Sequence, residues 1–197
     1  MKTALVVLGT LLGLILLSGL WYMGVYNGLV SKQEAGNSAW AQVQNVYQRR
    51  FDLVPNLVET VKGAANFEKS TLTAVVDARS RVGSFTVDKS ILNDPDQFKK
   101  FEAAQGQLGS ALSRLMVVME KYPDLKATEN FRDLQVQLEG TENRIAVERR
   151  TFNEVVQEYN TAIRRMPASL VANMSGFKAR PYFEGDTQAQ KAPQVKF

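Results

Sequence analysis

Two clusters of acidic and amide side chains are the residues of this chain best suited to chemistry. Asp52, Asn56 and Glu59 follow one another at spacings of four and three, which places them on one face of a helix. A second cluster, around Glu139 and Asn143, repeats nearly the same spacing closer to the C-terminus. Paired carboxylates of this kind can bind a cation or act as general acid and base.

The composition excludes several other kinds of chemistry. The 197 residues include no Cys and no His, so thiol, disulfide and imidazole chemistry are ruled out, as are the Glu-x-x-His motifs of di-iron helical bundles. No glycine-rich phosphate-binding motif occurs. A net charge of +4 is too dilute for nucleic-acid binding without clustering. The sequence therefore predicts no cofactor and no nucleic-acid partner.

The polar clusters have a simpler interpretation than a reactive site. Arg50 and Glu148 fall where the helical pattern expects apolar residues, and buried charges persist only when they are paired. We therefore interpret the clusters as a layer of ion pairs and hydrogen bonds between helices, with a partner-binding surface or a metal or catalytic site as alternatives. An Arg50–Glu148 pair is expected within this layer. The predicted polar layer consists of Arg50, Asp52, Asn56, Glu59, Glu139, Asn143 and Glu148.

Long amphipathic helices must position these residues. The pattern predicts one helix over Asn37–Val82, kinked at Pro55 because a proline removes a backbone donor. The alternative is two helices that break near Gly63–Asn66, since Gly63 weakens the helix again. Asp94 and Pro95 begin a second helix, which ends near Tyr122, and a third covers Lys126–Met166. Three such helices pack up-down-up into a bundle. The tail after residue 167 is expected to be irregular, pinned by Phe177, Tyr182 and Phe183.

Apolar residues at helical spacing predict the core. Those of the first segment are Trp40, Val43, Tyr47, Val54, Leu57, Val61, Leu72, Val75, Val76 and Val82. The second helix contributes Phe98, Phe101, Leu108, Leu112, Leu115 and Met119, with the polar Gln105 in the same row. The last contributes a residue at every seventh position, namely Phe131, Leu138, Ile145, Phe152, Tyr159 and Met166.

The N-terminal segment is long and apolar enough to cross a membrane. Residues 3–31 carry no charge, and about 20 apolar residues span a bilayer as a helix. We interpret the segment as an uncleaved signal anchor, with a cleaved signal peptide as the alternative. Lys2 and the terminal amine favour a cytoplasmic N-terminus. Glycine pairs at G-x-x-x-G spacing are candidate sites of helix–helix packing in the membrane: Gly9 with Gly13, and Gly24 with Gly28.

Several long motifs resemble the LemA family. The longest are Tyr47–Gly63 and Leu134–Arg150. Shorter matches occur at Tyr26–Val30, Tyr122–Ala127, Gly176–Phe177 and Tyr182–Glu184. The resemblance covers nearly the whole chain. It implies an N-terminal membrane helix followed by an antiparallel α-helical bundle, without an assigned reaction.

These observations predict an all-α protein with a membrane anchor (1–31), a helical bundle (32–166) and an irregular C-terminal tail (167–197). The expected function is that of a non-enzymatic structural or interaction scaffold in the bacterial inner membrane, with a periplasmic bundle. The expected partners are the membrane and either a second copy or another envelope protein. The alternative is a ligand-binding, ion-binding or hydrolytic protein that uses the mid-helix carboxylates.

Overall fold

The structure of the chain is a computed structural model that describes residues 2–63, 68–86 and 88–185. These residues form helices and connecting segments without a β-strand, which confirms the predicted all-α class. A short 3-10 turn at Lys89–Asn93 precedes the third long helix. The α-helices are α1 (Lys2–Lys62), α2 (Lys69–Gly83), α3 (Pro95–Met119), α4 (Pro123–Lys126), α5 (Glu129–Arg164) and α6 (Ala168–Met174).

Helix α1 joins the apolar segment to the bundle without interruption. Its 61 residues extend for about 90 Å at 1.5 Å per residue. The side chains of its N-terminal part are almost all exposed, whereas Trp40, Val43 and Val61 are fully buried. One helix is therefore both a candidate membrane span and a central element of the core.

The predicted single helix over Asn37–Val82 is wrong, and the alternative break near Gly63–Asn66 is correct. Helix α1 ends at Lys62 and α2 begins at Lys69. Helix α2 then packs mainly on α3, while α5 packs along α1. Over the described residues the bundle thus has four long helices in up-down-up-down order rather than three.

Pro55 lies inside α1 without ending it. A proline donates no hydrogen bond to the carbonyl four residues earlier, which here belongs to Phe51. Arg79 of α2 supplies the missing donor, with its Nε 3.3 Å from the Phe51 carbonyl oxygen. The Arg79 guanidinium also lies 3.9 Å from the centre of the Phe51 ring. A neighbouring helix therefore compensates for the break in the backbone hydrogen bonding of α1.

The core forms three layers along α1. The layer next to the candidate membrane span, here called the membrane-proximal layer, contains Leu29, Tyr159, Ile163, Val171 and Ala172. The middle layer is aromatic and contains Trp40, Tyr47, Phe98, Phe101, Phe152 and Phe183. The distal layer is aliphatic and includes Val54, Leu57, Val61, Val75, Leu108, Leu115 and Leu138.

Most of the predicted core positions are buried, with two exceptions. Val76 is 48% exposed, and Met166, which ends the row of α5, is 72% exposed. The prediction is wrong for both. For Met166 the reason is that α5 already ends at Arg164, so the helical spacing no longer directs the next residues toward the core.

The segment after Met166 contains more regular structure than expected. Helix α6 comes first, and Gly176 then adopts a φ of +75°, a conformation in which a glycine allows the chain to turn. The following residues are irregular but well packed, with Phe183 buried and Tyr182 exposed. The part of the predicted tail from residue 186 onward lies outside the described residues.

The register of α5 predicts how two adjacent substitutions should differ. Leu138 is buried in the distal layer, so Leu138→Ala should lower the free energy of unfolding by about 2–5 kcal/mol. Gln137 is exposed, and Gln137→Ala should change it by less than about 0.5 kcal/mol. Denaturant unfolding of the detergent-solubilised full chain measures both. Equal losses for the two variants would contradict this register.

Candidate functional site

Arg50 is the centre of the polar layer. It is only 3% exposed, and its Nη1 lies 3.0 and 3.1 Å from the two carboxylate oxygens of Glu142 on α5. Its Nη2 donates to the Gln105 backbone oxygen at 3.1 Å and to the Gln105 side-chain oxygen. The guanidinium also lies 5.2 Å from the centre of the Tyr47 ring. Arg50 therefore connects α1, α3 and α5.

The other predicted polar-layer residues form mainly local contacts. Asp52 accepts a hydrogen bond from Gln48 at 2.8 Å, Glu59 pairs with Lys62 at 2.7 Å, and Glu139 accepts from Gln135 at 2.8 Å. Each pair lies within one helix. Asn56 and Asn143 are exposed, and Glu148 is half-buried. Within the described part of the chain, no group of three or more acidic residues is arranged to hold a metal ion.

The partner of Arg50 is Glu142 rather than the expected Glu148. The sequence contained one signal for this contact, because Gln105 is a polar residue in the apolar row of α3, just as Arg50 is in that of α1. Two such interruptions in different helices indicate a shared polar contact. Several acids of α5 have similar spacing, so the choice among them required the structure.

A second ion pair joins α3 and α5 on the side of the membrane-proximal layer. The Arg149 guanidinium donates to the Glu102 carboxylate and, at 3.0 Å, to the backbone oxygen of Glu184. The backbone N–H of Glu184 donates to the same Glu102 carboxylate at 3.1 Å. Burial raises the pKa of Glu102, although the Arg149 charge opposes this effect. The pair therefore also attaches the C-terminal segment to the bundle.

An open groove of about 910 Å³ lies between α3 and α5 beside these ion pairs. Gly106, Gly109, Ser110 and Ser113 line it on α3, and these small side chains leave space between the two helices. Buried Arg50 and Tyr47 also line the groove, together with Glu142, Leu138 and Ile145. Burial raises the pKa of the Tyr47 phenol, whose hydroxyl has no hydrogen-bond partner among the residues that the structure describes. The polar layer is thus beside a solvent-connected groove.

Two asparagines of α5 hold the C-terminal segment in an extended conformation. Asn160 accepts from the Arg180 N–H and donates to the Arg180 carbonyl, both at 2.9 Å. Asn153 makes the same two contacts with Phe183, also at 2.9 Å. The seven helical residues from Asn153 to Asn160 span about 10.5 Å, and the three extended residues from Arg180 to Phe183 span about 10 Å. The two asparagines are therefore spaced to bind these two residues of the C-terminal segment. We call residues 178–184 the strap.

The strap inserts two side chains between the helices. Arg180 is buried and donates to the Gln33 carbonyl at 3.0 Å and to the Asn37 side chain at 2.6 Å. A Cβ atom at Gly36 would lie only 2.6 Å from the Arg180 Nη1, which accounts for a glycine there. Phe183 enters the aromatic layer. The C-terminal strap therefore completes the core of the bundle.

The same C-terminal region also contacts the end of the apolar segment of α1. The hydroxyls of Tyr22 and Ser175 lie 2.8 Å apart, and the rings of Tyr26 and Phe177 are 5.7 Å apart. Lys32 of α1 pairs with Glu158 of α5 at 3.1 Å. The first two contacts attach the residues directly after α6 to α1, and the ion pair attaches α5 to it. Helix α6 itself also packs on α1.

Arg50 and Glu142 should be energetically coupled. Glu142→Gln removes the charge that compensates buried Arg50, and it should lower the free energy of unfolding by about 1–3 kcal/mol. The Glu142 side chain is 40% exposed, so the loss should fall below that of a fully buried pair. A double-mutant cycle with Arg50→Met, measured by denaturant unfolding, should show non-additive losses.

The matched control is the cycle of Arg50→Met with Glu148→Gln, since the carboxylate that pairs with Arg50 belongs to Glu142 and not to Glu148. That cycle should be additive. If the loss from Arg50→Met were coupled to that from Glu148→Gln and additive with that from Glu142→Gln, the observed pairing would be contradicted.

The fold defines a class of protein in which a helical bundle continues directly into an N-terminal helix able to span a membrane. The chain belongs to the LemA family, whose family model matches residues 39–197. The resemblance seen in the sequence motifs is therefore confirmed.

Known relatives extend this comparison. The chain is 30% identical over 182 residues to magnetosome protein MamQ of Magnetospirillum gryphiswaldense, a match that covers 82% of this chain and 67% of the relative. It is 29% identical to magnetosome protein MamQ 2 of Paramagnetospirillum magneticum, with the same coverage. Protein LemA of Metamycoplasma hominis is 27% identical, over 72% of this chain and 61% of the relative.

Proposed function

We propose that this chain is a non-enzymatic scaffold anchored in the cell membrane by a single helix. Residues 1–31 act as the anchor, 32–166 as the bundle and 167–197 as the C-terminal tail, whose strap closes the bundle. The observation that carries the proposal is the continuity of α1 from the apolar segment into the core. A rigid connection of this kind suits a protein that presents a surface at a fixed position on a membrane. Two of the relatives are named as magnetosome proteins, and these names state no reaction.

The bundle is proposed to lie outside the cytoplasm, in the periplasm of a bacterial cell. Lys2 and the terminal amine precede the span, whereas Lys32 on the other side is offset by Glu34 and paired with Glu158. Reporter fusions after Phe197 test this orientation in cells. Alkaline phosphatase should be active there and green fluorescent protein dark. The opposite result would overturn the orientation, and a mature N-terminus beyond residue 20 would overturn the anchor.

The first proposed partner is a second copy of this chain, with another envelope protein as the other outcome. Gly9, Gly24 and Gly28 are exposed and Gly13 is partly exposed, and a Cβ atom at each of the four would meet nothing within 4 Å. Glycines at this spacing allow two membrane helices to approach closely. The open glycine face of α1 therefore supports self-association in the membrane.

The absence of native cysteines allows a clean test of self-association. Single cysteines introduced in turn between residues 5 and 20 should give disulfide-linked dimers in cell membranes, with maxima every three to four residues on the face of Gly9 and Gly13. A cysteine at exposed Gln137 is the control. Cross-linking to a different protein would indicate an envelope partner, and uniform absence of both products would contradict scaffolding through this face.

The groove between α3 and α5 favours a second candidate function, the binding of a ligand or ion. The supporting observation is that the groove is open to solvent beside the Arg50–Glu142 ion pair. In that case Ser110→Leu, which would fill the groove from an exposed position on α3, should abolish cellular function and leave unfolding unchanged. A scaffold that does not use the groove should tolerate the same change.

A further inference from the structure

Helix α6 and the turn before it carry an exposed apolar stripe that the core does not use. Leu170 and Met174 lie one turn apart on α6 and are 53% and 79% exposed. Met166, which is 72% exposed, lies in the turn before the helix, with its sulfur 2.9 Å from the Ser169 hydroxyl. The opposite side of α6 is buried through Val171 and Ala172, which pack in the membrane-proximal layer. Large apolar side chains grouped in this way on a surface indicate an interaction site.

The position of the stripe identifies what covers it. Helix α6 and the residues after it contact α1 at Tyr22, Val25, Tyr26 and Leu29. A hydrocarbon core of about 30 Å takes about 20 helical residues, so a span that begins near residue 3 ends near Tyr22. Tyr22, Tyr26 and neighbouring Trp21 are residue types that favour the membrane–water interface. Helix α6, which carries the stripe, therefore lies beside the point at which the proposed span of α1 ends.

The charges around α6 favour the same occupant. Between Glu158 and Glu184 the chain contains four basic residues and no acidic residue. Of these four, Arg164, Arg165 and Lys178 are exposed and flank α6, whereas Arg180 is buried in the strap. Exposed cations beside an apolar stripe are typical of helices that lie on an anionic lipid surface.

We propose that α6 is a second membrane contact, which inserts Met166, Leu170 and Met174 into the headgroup region of the bilayer that α1 crosses. This inference rests on the proposed anchoring function. The helix has only seven residues and depends on α1 to hold it at the interface. Its role is to fix the tilt of the bundle relative to the membrane surface, since a single span leaves that angle free.

Site-specific fluorescence in lipid vesicles tests the proposal. The full chain is reconstituted into vesicles of phosphatidylcholine and phosphatidylglycerol, with a single cysteine at Leu170 or Met174 labelled with the dye NBD. Controls carry the label at Leu16 within the span and at Val136, which is 69% exposed on α5. Lipids with nitroxide groups near the headgroup should quench the labels at 170 and 174. Aqueous iodide should quench them several-fold less than the label at 136.

The outcomes separate this inference from the anchoring function. Quenching of the label at residue 16 by nitroxides deep in the bilayer would support the membrane anchor. If, in the same vesicles, iodide quenches the labels at residues 170 and 174 as strongly as the label at residue 136, the second membrane contact is wrong and the anchor stands. Protection of 170 and 174 from both quenchers would indicate a protein partner and also overturn the proposal. Quenching of the label at residue 16 by iodide would overturn both the membrane anchor and the second membrane contact.

A label at Met166 provides a second measurement. In a chain with Leu170→Asp and Met174→Asp, the label at 166 should become more open to iodide, because the altered stripe no longer enters the interface. Arg164→Gln and Arg165→Gln should reduce protection in vesicles that contain phosphatidylglycerol more than in pure phosphatidylcholine. Unchanged protection at 166 in the doubly acidic chain would overturn the proposal.

Discussion

Trp40→Ala should lower the free energy of unfolding by about 3–5 kcal/mol, because the indole is the centre of the aromatic layer. The side chain is 1% exposed, and its ring centre lies 5.6–6.1 Å from those of Phe98, Phe101, Phe152 and Phe183. Its Nε1 also donates to the Asp88 carbonyl at 3.3 Å. Denaturant unfolding of the detergent-solubilised chain, followed by circular dichroism, measures the loss.

Two further variants define the cause of that loss. Trp40→Phe keeps most of the apolar surface and should recover a large part of the stability, whereas Val136→Ala, on the exposed side of α5, should cost less than about 0.5 kcal/mol. A loss for Trp40→Ala no larger than that for Val136→Ala would mean that the aromatic layer does not support the bundle.

Phe183→Ala should cost a similar amount, about 3–5 kcal/mol, although the residue lies close to the C-terminal end of the sequence. Its ring lies 4.8 Å from that of Phe98 and 5.5 Å from that of Phe152, and the Arg149 guanidinium covers it at 4.5 Å. Loss of the ring would leave a cavity in the middle layer. The same unfolding measurement applies.

The adjacent Tyr182 is the matched control for Phe183. It is 39% exposed, so Tyr182→Ala should have a much smaller effect. Phe183→Leu should restore part of the stability, because Leu refills some of the volume. If removal of Phe183 and Tyr182 had equal small effects, the strap would be a surface attachment rather than part of the core.

The helical periodicity predicted most of the fold, because apolar residues at every third or fourth position can be buried only on one face of a helix. The row from Phe131 to Tyr159 is buried as expected. The periodicity did not place the break after Lys62, since Leu72 and Val75 continue the apolar spacing in α2. It also could not show that Arg79 would compensate for Pro55.

The polar contacts were less predictable than the core. Polar residues at apolar positions identified Arg50 correctly as a buried charge. The selection of Glu142 over Glu148 depends on the axial position and rotation of α5 against α1, because six helical residues rise about 9 Å along the axis. The strap was harder still, since Asn153 and Asn160 bind backbone atoms, which any sequence offers. Only the seven-residue spacing of the asparagines and the three-residue spacing of Arg180 and Phe183 could have indicated the match.

The unbroken course of α1 couples the rotation of the bundle about the helix axis to the rotation of the apolar N-terminal segment. Each helical residue turns by about 100° and rises 1.5 Å, so one alanine inserted after Ser18 would rotate the whole bundle by about 100° around the span and shift it by about 1.5 Å. A rotation of the span by a neighbouring membrane helix would likewise reach Lys62 at the far end of α1, about 60 Å beyond Tyr22. A rotation of the N-terminal segment would therefore also move the end of the bundle that lies farthest from it.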